Sequence, residues 1–173
     1  MSPIFICVRK GNGYKLTMSR QCCEIRPNRG LTVAYKINLA ASARRHLRAA
    51  QELYQIGAAG AQPGSKAVAG YLFGLAGELA VKEMMRASGI RPRPATDRQN
   101  DPFYAHFPSL KARLKEIIND RRAQELRPIA EDDSLFQHWN TNMRYAPTTD
   151  IRQPWIDKWR QSAENLVNKM DVL

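Results

Sequence analysis

From Asn38 onward the apolar residues of this chain recur in alternating steps of four and three, at Ala43, Leu47, Ala50, Tyr54 and Gly57. Only an α-helix with one buried face puts such a series on a single side, so the spacing predicts a first helix. A Gly- and Pro-containing loop over residues 57–64 precedes a second helix. Ser65 can cap it, Val68, Leu72, Leu75, Leu79 and Met84 or Met85 mark its apolar side, and Gly89 ends it. Gly70, Gly74 and Gly77 fall in the same helix, and each glycine in a helix interior costs about 1 kcal/mol against alanine. Three within two turns predict that another backbone packs close against this face.

Residues 90–104 are polar and broken by Pro92, Pro94 and Pro102, a long connection that is either functional or mobile. A third helix is expected from Pro108 through Leu110, Leu114, Ile117 and Ile118 toward Leu126, ending before Pro128. Asp132 or Asp133 can cap a short fourth helix holding Leu135, Phe136, Trp139 and Met143. The fifth is expected from Thr148-Thr149-Asp150, or from Pro154, with Ile156, Trp159, Ala163, Leu166 and Met170 on one stripe. Residues 38–173 show no convincing strand and no fixed repeat, so the expected fold is all-α: a four- to five-helix up-and-down antiparallel bundle.

A chain of 173 residues, 43% hydrophobic, suits one domain whose core buries roughly two thirds of the surface its unfolded form exposes. The net charge of +11 favours a polyanionic partner, with an ordinary basic surface as the alternative. Residues 1–32 carry six cations against Glu24 alone, and residues 1–37 lack a helical period. They read as a basic, disordered arm that touches nucleic acid, or as sequence ahead of the true start; N-terminal sequencing of native protein separates these. Cys7 and the Cys22-Cys23 pair lie in this segment without C-x-x-C spacing or nearby histidines, which argues against a metal site or a disulfide framework and suits a reducing cytoplasm. No apolar run is long enough for a signal-peptide core or a membrane span.

No nucleophile elbow, Walker loop, H-E-x-x-H or glycine fingerprint is present, and no cofactor or metal is expected. Glu78 and Lys82, four apart on helix two, are either a surface ion pair or a polar site partly buried by a close neighbour. His106, between Tyr104 and Phe107 at the start of helix three, either packs in a loop-to-helix corner or takes part in chemistry. His46 and His138 receive no role. Arg144, at a helix end beside Asn140, Asn142 and Tyr145, can grip a phosphate with its planar fork or satisfy the last carbonyls of its own helix. Lys111, Arg113, Lys115, Arg121 and Arg122 form a basic run that is either a solvated face or an extension of an anion-binding surface.

The order of these features resembles the HEPN family, the higher eukaryotes and prokaryotes nucleotide-binding domains. The matching stretches are LAASARRHLRAAQELY, then AGELAVKEMM with Glu78-x-x-x-Lys82, then HFPSLKARL led by His106, then WNTNMRYAPTTD and a long final helix, from about Asn38 to Met170. The resemblance implies a bundle that commonly forms a homodimer. Ribonuclease members carry an arginine followed, after four to six residues, by a histidine, and the pair assists attack by the RNA 2′-hydroxyl. Arg144 matches the arginine, but positions 149 to 151 are Thr149, Asp150 and Ile151, and Tyr145 follows the arginine. The chain therefore looks like the Arg-Tyr branch, whose members more often bind than cut. By this resemblance it is a cytoplasmic module for a nucleotide, RNA or partner protein, such as a nucleotidyltransferase, in a toxin-antitoxin or defence system. Its site candidates are Arg144, Tyr145, Glu78, Lys82, His106 and Asn140. The alternatives are a metal-independent ribonuclease using Arg144 with His106, and a helical scaffold without a ligand site.

Overall fold

The computed structural model describes residues 35–58, 65–118 and 121–172, of which those from Ile37 onward belong to one compact unit. The expected arm, up to residue 34, lies outside the described residues, as do residues 59–64 of the first loop. The protein is an all-α helical bundle, with no strand among the described residues. Its helices are α1 (Leu39–Ala58), α2 (Ser65–Ala87), α3 (Ser109–Ile117), α4 (Arg127–Glu131) and α5 (Gln153–Val172).

Asn38 caps α1 by accepting the Ala41 N–H at 2.9 Å, and Ala43, Leu47 and Ala50 are buried as the spacing requires. α1 and α5 both pack along α2, which places α2 at the centre of the bundle. This changes which of its sides is deepest. Leu72, Leu75 and Leu79 are only half-buried and Val68 is 52% exposed, whereas Ala69, Phe73, Ala76, Ala80 and Val81 are fully buried. The small residues let neighbours approach, and the leucines sit toward the margins.

The three glycines admit aromatic side chains, not the backbone that the sequence led us to expect. A Cβ built on Gly74 would lie 1.9 Å from Trp139, one on Gly77 would lie 2.5 Å from Phe136, and one on Gly70 would lie 3.1 Å from Trp159. Trp159 comes from the buried stripe of α5, with Ile156, Ala163, Leu166 and Met170, and donates its indole N–H to the Gln137 carbonyl at 2.9 Å.

Trp139 and Phe136 come from the segment expected to be a fourth helix. Residues 133–138 are turns instead, with Phe136 at φ 52° and His138 at φ 66°. A right-handed helix cannot run through such left-handed residues, and the turns deliver both rings to the glycine face of α2. Only Thr141–Tyr145 is helical here, as a short 3-10 segment capped by the Asn140 side chain. α3 is also shorter than expected: it ends at Ile117, and a 3-10 segment (Arg121–Leu126) leads into α4. Pro128 lies in the first turn of α4, where no N–H is needed, so it begins a helix that it was expected to end.

Candidate functional site

The extended connection after α2 is ordered by one carboxylate. Asp101, 1% exposed, accepts the backbone N–H groups of Arg93 and Phe103, both at 2.9 Å, and its carbonyl accepts that of Tyr104 at 3.0 Å. Its side chain thus ties the two ends of the 3-10 segment Ala95–Asn100 together. The chain then passes His106 and a cis Phe107-Pro108 peptide into α3, and the His106 carbonyl accepts the Leu110 N–H at 2.8 Å.

This path sets the His106 ring against α2. Its Nδ1 lies 2.9 Å and 3.0 Å from the two carboxylate oxygens of Glu78, and Lys82 Nζ lies 2.7 Å from Glu78 Oε1. Glu78 is 3% and Lys82 6% exposed, so the pair is a buried polar site and not a surface ion pair. Burying two charges is costly unless each is paired and hydrogen-bonded, and the i, i+4 spacing on α2 pairs these two. A carboxylate facing Nδ1 makes that nitrogen the proton donor, which leaves Nε2 at the other end of a ring that is 53% exposed.

His106 lines an open cleft of about 420 Å³ shared with Arg98, Tyr104, Arg113 and Asn140. Sequence reasoning missed Arg98. Nothing local marks it, although the polar, proline-broken connection that carries it does stand out. The Arg98 guanidinium lies 3.9 Å from the centre of the Tyr104 ring, and Arg113 donates to the Gln99 carbonyl and Asn100 Oδ1.

Arg144 is not among the cleft residues, although the 3-10 segment that carries it supplies Thr141 and Asn142 to the lining. Tyr71 first, and then Tyr145, holds its guanidinium above the ordinary arginine value, and it lies 4.8 Å from the centre of the Tyr145 ring, a side chain 77% exposed. Tyr71 stands seven residues before Glu78 on α2, about 10 Å along the axis. Four of the six candidate residues, Glu78, Lys82, His106 and Asn140, thus gather at or behind the cleft, while Arg144 and Tyr145 are exposed and do not line it.

The basic run on α3 divides too. Lys111 turns inward and donates to the carbonyls of Asp132 and Leu135, both at 2.9 Å, while Lys115 faces Asp133 at 3.6 Å. The side chains of Arg121 and Arg122 lie outside the described residues. His46 bonds to the Ser42 carbonyl at 2.7 Å and His138 stacks on Trp155 at 4.5 Å. Among the described residues no group of His, Cys, Asp and Glu could hold a metal ion, and no helix is long and apolar enough to cross a membrane. In comparisons with known proteins, no family model, curated protein or solved structure matches this chain.

Proposed function

We propose that this chain is a HEPN-like module that binds a phosphate-bearing ligand, a nucleotide or RNA, in the His106 cleft without cutting it. The observation that carries this reading is the convergence of Arg98, Arg113 and a Glu78-anchored His106 on one cleft. Guanidinium groups are donors suited to phosphate oxygens, and the carboxylate-oriented imidazole beside them fixes one wall of the cleft. The absence of a histidine at positions 149 to 151 argues against the ribonuclease arrangement of the family. By the same resemblance the module works as a homodimer, with a nucleotidyltransferase as a candidate partner protein.

The ribonuclease reading keeps one observation in its favour. A histidine whose Nδ1 is fixed by a buried carboxylate has the orientation of a general base. Metal-free RNA cleavage and fluorescence-anisotropy binding on the full chain test both. Binding without cleavage, weakened by Arg113→Gln, is the expected result. Cleavage abolished by His106→Ala or Arg144→Ala would replace the binding module with a nuclease.

A further inference from the structure

Arg98 and Arg113 are held in the cleft by neutral groups: the Tyr104 ring for one, the Gln99 carbonyl and Asn100 Oδ1 for the other. Arg44 and Arg86, by contrast, sit on the carboxylates of Asp171 and Glu83. The nearby acid of the cleft loop, Asp97, is committed to Arg93 and Asn100, and those hydrogen bonds, Arg93's first, hold its carboxyl below the usual range. Glu78 behind His106 is likewise matched by Lys82. Asp97 feels the charge of Arg113 as well as that of Arg93, so one carboxylate faces two guanidinium groups and, with Arg98, the cleft keeps a surplus of positive charge.

Resting on the reading of this cleft as an anion site, we propose that it takes the terminal phosphate monoester of a single nucleotide, not the diester backbone of an RNA strand. The volume of about 420 Å³ is that of a small-molecule site. A strand needs a charged groove that tracks several phosphates, with successive bases stacked along it. Charge points the same way. A monoester near neutral pH carries between one and two negative charges and three terminal oxygens. Arg98 and Arg113 supply two forked sets of donors, whereas an internal diester offers one charge and two free oxygens. Tyr104, 52% exposed on the same lining, gives the base an aromatic surface.

Isothermal titration calorimetry on the full chain near neutral pH tests this. The probes are adenosine 5′-monophosphate, adenosine, and a short RNA oligonucleotide with hydroxyl ends. The monophosphate is expected to bind at least about tenfold more tightly than either other probe, the difference one charge-assisted contact makes. Arg113→Gln and the exposed Arg98→Gln, each checked for an unchanged melting curve, are expected to weaken the monophosphate about tenfold. Adenosine binding as tightly as its monophosphate overturns the proposal. Hydroxyl-ended RNA binding more tightly also overturns it, while leaving the cleft an RNA site. Binding of none of the three probes overturns both readings.

Discussion

Trp139 occupies the space that any side chain at residue 74 would need: a Cβ on Gly74 would fall 1.9 Å from its Cε2 and 2.0 Å from its Nε1. The indole is 2% exposed and stacks on Tyr71 at 6.0 Å, with Phe107 and Phe136 edge-on at 6.3 Å. It has no room to withdraw. Gly74→Ala should therefore cost about 3 kcal/mol, the upper range for overpacking, even though alanine is the better helix former. At Gly70 the Cβ would meet Trp159 at 3.1 Å, and the same change should cost about 1 kcal/mol. Urea denaturation of both variants checks this, and equal costs would show that Trp139 is not fixed.

Glu78 and Lys82 should behave as a unit. Removing one partner leaves a buried charge without its mate, at a cost of about 3–5 kcal/mol, so Lys82→Met and Glu78→Gln should each be strongly destabilising. The double variant should recover much of that loss, because no uncompensated charge remains. A double-mutant cycle by denaturant unfolding measures the coupling, and additive costs would show that the pair is not coupled.

Asp101 should govern the cleft without lining it. Asp101→Ala leaves the Arg93 and Phe103 N–H groups without their acceptor, costing about 1–3 kcal/mol. The loss should concentrate in the 90–104 connection. Hydrogen exchange should speed up there while the amides of α1 and α5 stay protected, and nucleotide affinity should fall with it. Uniformly faster exchange across the bundle would mean that Asp101 supports the whole core.

Lys111 should leave a signature in alkali. Burial holds its ammonium below the ordinary lysine value, against the opposing pull of Asp133 and Asp132. Between that lowered value and the unfolded one near 10.4, the unfolded chain binds more protons, so stability should rise with pH through the window. Lys111→Met should flatten that rise and cost about 1–3 kcal/mol near neutral pH, where the carbonyls of Asp132 and Leu135 lose their donor. Thermal melts at several pH values below about 10.4 test the sign.

Apolar periodicity alone located α1, α2 and α5, because a period near 3.6 with one buried face has a single backbone solution. Gly89 at φ 84° is local chemistry and equally legible. The segment from Leu135 to Met143 was not, since Leu135, Phe136, Trp139 and Met143 carry helical spacing. The left-handed turns at Phe136 and His138 are selected by the aromatic sockets that Gly74 and Gly77 open on a helix some sixty residues earlier. The glycines announced a close approach but could not say that rings would fill it.

The site divides along the same line. By itself, the sequence determined which residues could carry charge and grip phosphate, and that Glu78 and Lys82 share a helix face four residues apart. Only the tertiary structure decided that this pair is buried, that His106 reaches it across 28 residues, and that Arg98 and Arg113 border the same cleft while Arg144 does not. Spacing within an element follows from backbone geometry, whereas burial and contact between elements follow from how their surfaces fit. That fit depends on the whole core at once, and no local stretch of sequence contains it.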